Sequence, residues 1–113
     1  MSGDFGSYEE FWPFYVGEHA SPWTRRIHAA GTLLGAGAAA AGLARGRGAR
    51  SLLAFPLLGY GFAWFAHFVV EGNRPATFGH PLWSLRGDFQ MLAMLLAGRE
   101  GELTEMAERR AAG

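Results

Sequence analysis

The sequence predicts an all-α membrane protein built around an antiparallel pair of transmembrane helices. Residues 27–44 and residues 51–70 contain no charged side chain, and each run is about as long as a bilayer-spanning helix requires. Only 18% of the chain is charged and the mean hydropathy is +0.04, so the polar residues must be concentrated outside these runs. A soluble bundle with two buried helices is the alternative, but few polar residues are left to coat it.

Length and composition exclude several classes of protein. The 113 residues allow one domain, and the absence of cysteine excludes disulfides, iron–sulfur clusters and a cysteine nucleophile. Ten arginines balance ten acidic residues, so no basic field is present to attract nucleic acid. We therefore expect a single domain, residues 1–113, with no nucleic-acid partner.

The N-terminal region predicts a short aromatic helix ahead of the first span. Ser7 followed by Glu10 fits a capping box, and aromatic residues recur at helical spacing and would suit the lipid headgroup interface. Ser21 and Pro22 are typical of the cap and first position of a helix, which we expect to extend to about Ala44. The aromatic residues of the first helix are Tyr8, Phe11, Trp12 and Tyr15.

The two charge-free runs predict a helical hairpin. Residues 45–50 are too short for anything but a tight turn between antiparallel neighbours. Gly31 and Gly35 form a G-x-x-x-G pair that lets two helices approach closely. Arginines are almost evenly divided between the two ends, so their count does not give the membrane orientation. The small-residue faces also allow a homodimer.

The C-terminal part predicts a loop, a third helix and a polar tail. Residues 73–83 contain two prolines and a glycine, which is typical of an ordered loop. Ser84 is the expected cap of a helix whose apolar stretch is shorter than a full span, so we expect a half-buried or re-entrant element. Residues 98–113 alternate acidic residues and arginine, which favours a solvated or frayed helix.

All four histidines are expected at one end of this hairpin. His28 lies near the start of the first charge-free run and His67 near the end of the second, and an antiparallel pair brings both to similar depth. His19 and His80 flank the two spans through short connections. Four imidazoles on one rim predict a metal site for iron, copper, zinc or nickel. Glu71, four residues after His67, is a candidate carboxylate ligand or hydrogen-bond acceptor for a ligand.

Other interpretations of these residues remain open. His28 and His67 can serve as axial ligands of a non-catalytic haem protein, or all the histidines can make only local hydrogen bonds in a membrane scaffold. Glu71 can pair with Arg74, and Asp88 can be a first-turn carboxylate favoured by the helix dipole. A zinc hydrolase is disfavoured, because four nitrogen ligands would close the position that hydrolysis needs.

The histidine-containing segments resemble a known family. The strings are FWPFY at residues 11–15, RRIH at residues 25–28 and, above all, HFVVEGNRPATF at residues 67–78 and HPLWSLRGDF at residues 80–89. They are similar to small membrane proteins related to the eukaryotic 2-hydroxy fatty acid dioxygenase. The resemblance covers roughly residues 8–96. This chain departs from the family in being short, with a single hairpin between His28 and His67.

The resemblance implies an Fe2+-dependent enzyme that uses dioxygen to remove one carbon from a 2-hydroxy fatty acid. It implies an integral membrane location, which is the inner membrane for a bacterial protein and the endoplasmic reticulum for a eukaryotic one. The implied iron ligands are His19, His28, His67 and His80.

Further residues near the histidines are candidates for catalysis. Arg74 or Arg86 is a candidate to hold the substrate carboxylate through two hydrogen bonds, and both can instead be interfacial residues that reach lipid phosphates. Asn73 is a candidate to orient a ligand or the substrate hydroxyl. Glu71 and Asp88 complete the set of predicted catalytic residues.

Overall fold

The structure, a computed structural model, describes residues 5–112. These residues form five α-helices with short 3-10 and π segments, and they contain no strand. The predicted all-α fold is therefore confirmed. The helices are α1 (Tyr8–Gly17), α2 (Pro22–Ala44), α3 (Ala54–Phe65), α4 (Pro81–Leu96) and α5 (Glu100–Ala112).

Helix α2 has the predicted bounds and forms the first half of the hairpin. The hydroxyl oxygen of Ser21 accepts a hydrogen bond from the Trp23 backbone N–H at 3.2 Å, which caps the helix as expected. The chain reverses directly after Ala44, where Gly46 and Gly48 have φ values of 74° and 78°. Glycine adopts such positive φ values without steric cost, which explains the tight turn.

Close contact between α2 and α3 depends on glycine, as predicted. A side chain at Gly31 would collide with the Phe62 ring, and a Cβ atom at Gly35 would lie 2.9 Å from the backbone oxygen of Phe55. The absence of side chains at these two positions lets the helix backbones approach each other.

The second half of the hairpin changes its helical geometry twice. A 3-10 segment (Ala49–Leu53) leads into α3, and a π segment (Ala66–Glu71) follows it. The π segment ends where the His67 carbonyl accepts hydrogen bonds from the backbone N–H groups of Gly72 and Asn73, at 2.7 and 2.9 Å. Insertions of this kind into α-helices recur at functional sites. Here the π segment carries His67.

Both halves of the hairpin are long and apolar enough to cross a membrane. The candidate spans are Pro22–Ala44 and Ala49–Glu71, each 23 residues long. Only 17% of the most apolar window of the second span is buried, so most of its apolar side chains face outward. Its exposed large residues include Leu52, Leu53, Leu57, Phe65, Phe68 and Val69.

Helices α1, α4 and α5 enclose a small apolar core at one end of the hairpin. The rings of Phe11 and Tyr15 are almost fully buried there, with 0% and 1% exposure. The aromatic face of α1 was expected at the headgroup interface. It packs inward instead, because α4 and α5 supply apolar partners such as Met91 and Leu103.

Helix α4 begins earlier than predicted. Its first residue is Pro81, so Ser84 lies inside the helix and is buried, and its predicted role as the N-cap is wrong. Proline has a fixed φ that suits the first helical position, which explains the earlier start. The helix is half-buried, as predicted, with Met91 inside and Phe89 exposed.

Helix α5 is not the fully solvated tail that the charge pattern predicts. Leu103 and Ala107 are buried against α1 and its neighbours. The fully buried Arg25 of α2 donates to the Thr104 hydroxyl at 2.5 Å, and its other terminal nitrogen donates to the carbonyl of His19 at 2.8 Å. Arg25 therefore connects α5 to the segment that carries His19.

Candidate metal centre

Three of the four histidines come together where α1, α2 and the π segment meet. His19 follows α1, His28 lies in the second turn of α2, and His67 lies in the π segment. All three are buried, and one ring nitrogen from each lies within 4.8 Å of the others. We call these residues the histidine triad. The hairpin topology brings His28 and His67 together, as the sequence predicted.

The hydrogen bonds of His19 and His67 define which ring nitrogens carry protons. Nδ1 of His19 lies 2.7 Å from the carbonyl oxygen of Tyr15, and a carbonyl can only accept. Nδ1 of His67 lies 2.8 Å from Oδ1 of Asn73, whose amide nitrogen donates to the Glu18 carbonyl at 2.9 Å. Both Nδ1 atoms are therefore donors, and in the neutral rings both Nε2 atoms present lone pairs.

The two lone pairs face each other across a short distance. Nε2 of His19 and Nε2 of His67 are 3.0 Å apart, although neither neutral ring has a proton to place between them. Two nitrogens bound to one metal ion at about 2.1 Å each lie about 3 to 3.4 Å apart. This separation therefore fits two ligands of one cation.

His28 provides a third bare nitrogen. Its Nε2 lies 3.2 Å from Oδ1 of Asp88, a contact in which the ring donates and the carboxylate accepts. Its Nδ1 is buried and has no hydrogen-bond partner. A buried nitrogen with an unused lone pair is costly unless something binds it. The residues present therefore fit a metal ion held by three imidazoles.

The surroundings of the triad bury all three rings and keep His19 neutral. A cavity of about 10 Å³ adjoins the three rings, which is roughly the space for one water molecule or one small ion. The pKa of His19 lies well below its usual range. Burial is the main cause, and the proximity of His28 and His67 is the second. At neutral pH the Nε2 lone pair of His19 is therefore available to a metal.

Tyr15 and Asp88 form a second layer around the triad. The Tyr15 hydroxyl donates to Oδ1 of Asp88 at 2.5 Å, and the Tyr15 ring stacks on His19 with centroids 4.1 Å apart. Burial and the neighbouring Asp88 raise the pKa of Tyr15, so its hydroxyl stays protonated. Asp88 therefore orients the imidazole of His28 while Tyr15 holds the carboxylate in place.

The other predicted catalytic residues on this loop have structural contacts of their own. Oε1 of Glu71 accepts from the Ser21 backbone N–H at 3.0 Å and from the Thr24 hydroxyl at 2.6 Å, which ties the end of the second span to the start of α2. Asn73 holds His67 through its side-chain oxygen. Arg74 is exposed, with its guanidinium 5.1 Å from the centre of the Phe78 ring.

His80 lies outside the triad. Its ring is half-buried among aromatic side chains, with centroids 5.2 Å from Phe11 and 5.7 Å from Trp83. The structure therefore brings together three of the four histidines expected as ligands. Arg86, the other arginine considered for the substrate, places its guanidinium 3.9 Å from the centre of the Tyr8 ring.

Sequence reasoning missed residues that act on the triad through other groups. Tyr15 contributes its carbonyl to His19 and its hydroxyl to Asp88, while Glu18 contributes its carbonyl to Asn73. Tyr15 precedes His19 by four residues, the helical spacing for a hydrogen bond, and this was the available signal. The role of Arg25 gave no signal, because it depends on α5 packing back against α1, which brings Thr104 to Arg25.

Removal of the Asn73 side chain should weaken metal binding without unfolding the protein. In Asn73→Ala, Nδ1 of His67 loses its acceptor, so the ring can rotate and change its tautomer. Loss of such a partner typically costs about 10- to 100-fold in metal affinity. Titration of Fe2+ or Co2+ into purified protein measures the change. Asn73→Asp keeps an acceptor oxygen and should retain more affinity than Asn73→Ala, and equal affinities for all three proteins would contradict this role.

Comparison with known proteins identifies a family for the chain. A family model described as 2-hydroxy-palmitic acid dioxygenase Mpo1-like matches residues 5–100, which include the whole triad and its hydrogen-bond partners. No curated protein and no solved structure matches the chain. The matched segment covers most of the 113 residues, and the chain therefore belongs to the Mpo1-like family.

Proposed function

We propose that this protein is an Fe2+-dependent dioxygenase of a membrane that shortens a 2-hydroxy fatty acid by one carbon. The family name supports a dioxygenase and an acyl substrate. The observation that carries the proposal is the arrangement of three buried imidazoles with one ring nitrogen of each within 4.8 Å of the others. Within it, the Nε2 atoms of His19 and His67 face each other, and Nδ1 of His28 has no hydrogen-bond partner. The opposite nitrogens of the three rings are held by Tyr15, Asn73 and Asp88.

The donor set is appropriate for iron in this role. Three neutral imidazoles leave coordination positions open, unlike a closed four-ligand structural site. When bound there, Fe2+ would supply a centre at which dioxygen and the carboxylate and hydroxyl of a 2-hydroxy acid can bind side by side. The chain itself holds the imidazole tautomers, excludes bulk water through burial of all three rings, and keeps Asp88 beside the centre.

The proposed reaction balances without a further reductant. A 2-hydroxy acid and one dioxygen give the acid shortened by one carbon, one carbon dioxide and one water. The bond between carbons one and two breaks, the two carbons lose four electrons in total, and dioxygen accepts all four. No external electron donor is needed.

Packing around the triad disfavours the haem alternative. The three rings lie close together, with centroid separations of 4.4 to 5.9 Å, and His19 contacts His67 directly. The adjoining cavity of about 10 Å³ holds one small ion rather than a porphyrin. We therefore favour a single metal ion, and we propose Fe2+ because imidazole ligands suit iron and iron supports dioxygen chemistry.

A membrane location is part of the proposal. Two candidate spans with outward-facing apolar side chains would insert the hairpin into a bilayer, with the triad at one end of it. The membrane would be the inner membrane in a bacterium and the endoplasmic reticulum in a eukaryote. A fatty acid dissolved in the same bilayer would reach the site without crossing water.

Purified protein should bind about one iron per chain and consume dioxygen with 2-hydroxyhexadecanoic acid but not with hexadecanoic acid. The hydroxyl requirement follows because the acid without it cannot chelate through a hydroxyl and a carboxylate. Its cleavage to the same products would also release six electrons, and one dioxygen accepts only four. Elemental analysis and an oxygen electrode measure both quantities in detergent. Full activity in metal-free protein, or iron-loaded protein that consumes no dioxygen with the 2-hydroxy acid, would refute the proposed function. A strong Soret band in the isolated protein would favour haem.

A further inference from the structure

A groove of about 240 Å³ runs between α2, α3 and α4 and begins at the triad. His28 and Asp88 line one end of this groove, and both also line the small cavity beside the three histidines. Tyr60 lines both spaces as well. The groove therefore adjoins the cavity beside the candidate metal centre and shares part of its wall.

Away from this polar end the groove is lined by apolar groups. Phe55, Pro56 and Leu85 form its walls, and Gly59 leaves part of its floor open. The Thr32 hydroxyl, which also borders it, donates to the His28 carbonyl of its own helix at 3.3 Å. The groove therefore combines a polar end beside the triad with an aliphatic and aromatic remainder, which matches a molecule with a polar head and an alkyl chain.

A second, larger groove on the other face of α3 shares no lining residue with that cavity. It has a volume of about 490 Å³ and is lined by apolar residues that include Leu57, Gly61 and Phe65, but by no member of the triad. An alkyl chain there could not place its polar head beside the three histidines. The smaller groove is favoured for that reason, despite its size.

We propose that the groove between α2, α3 and α4 binds the alkyl chain of the 2-hydroxy acid substrate and that Gly59 determines how much chain it accepts. This inference rests on the proposed function. A Cβ atom at Gly59 would meet no atom within 4 Å, so a larger side chain would fill the groove without displacing the helices.

The chain offers a matched control two residues away. Gly61 lies on the same helix, borders the other groove, and also has no atom within 4 Å of an added Cβ. Gly59→Leu and Gly61→Leu thus make the same chemical change on opposite grooves. Each replaces a helical glycine with a better helix former, so neither should destabilise the helix itself.

Gly59→Leu should lower kcat/KM for 2-hydroxyhexadecanoic acid at least tenfold while keeping bound iron and turnover of 2-hydroxybutanoic acid. Gly61→Leu should match the wild type with both substrates. An unchanged preference for the long acid in Gly59→Leu, or an equal loss in both variants, would overturn the inference. If the wild type itself turns over neither acid, the proposed function fails, and the location of the alkyl chain is then decided by cross-linking.

The cross-linking probe is 2-hydroxyhexadecanoic acid with a diazirine in the middle of its chain. Cross-links to Phe55 or Leu85 would support binding of the alkyl chain in this groove. Unlabelled 2-hydroxyhexadecanoic acid should prevent these cross-links, and Gly59→Leu should lack them. Cross-links to Leu57 or Phe65 would assign the chain to the other face and overturn it. Competition by phospholipid but not by the free 2-hydroxy acid would also overturn it, because a bilayer lipid would then be the occupant.

Discussion

Replacing His67 with alanine should abolish iron binding and dioxygen consumption while the helices remain folded. His67 contributes one of the two nitrogens that face each other at 3.0 Å, and its other ring nitrogen is held by Asn73, which in turn donates to the Glu18 carbonyl. We expect bound iron to fall below about a tenth of the wild-type value and activity to fall more than 100-fold, since loss of a ligand exceeds loss of its hydrogen-bond partner. Elemental analysis, oxygen uptake and circular dichroism measure the three effects.

His80→Phe is the control for this experiment. The change keeps an aromatic ring against Phe11 and Trp83 and removes both ring nitrogens of a histidine outside the triad. We expect it to bind iron like the wild type. The three-histidine site is refuted by a His67→Ala protein that keeps its iron, or by a His80→Phe protein that loses it while remaining folded.

Much of the fold follows from charge patterning and local chemistry. The two uncharged runs predict the hairpin because a helix without charges must be covered by lipid or protein. Ser21 and Pro22 predict the start of α2 because capping is a local interaction. The start of α4 was misplaced because Ser84 and Pro81 are both good starting residues, and only the preceding loop decides between them.

The candidate site was likewise predictable only in part. Antiparallel topology alone brings His28 and His67 to one depth, so their pairing was predictable. Whether His19 or His80 joins them depends on the path of two irregular connections. The chain after α1 is fixed by Arg25 and Glu71, which bind the carbonyl of His19 and the N–H of Ser21, and neither contact has a sequence signature. The histidine tautomers likewise depend on backbone carbonyl groups, and these reach their positions only when the chain folds.

The small-residue face of α2 has the largest expected effect on stability. A valine at Gly35 would place its Cβ atom 2.9 Å from the Phe55 carbonyl oxygen and 3.1 Å from its Cα atom. Both are backbone atoms, so no side-chain rotation can relieve the collision, and the helices of the hairpin must separate. Overpacking of this kind costs about 1 to 3 kcal/mol or more.

Gly35→Val should therefore lower the unfolding temperature in detergent by several degrees and reduce iron binding, because separation of the hairpin moves His28 away from His67. Gly37→Val provides the comparison on the same helix, since a Cβ atom there meets nothing within 4 Å. Both changes replace glycine with the same β-branched residue, so the helix-propensity contribution is matched and the difference isolates the contact with α3. Equal unfolding temperatures for the two variants would show that the close approach of α2 and α3 at Gly35 does not stabilise the hairpin.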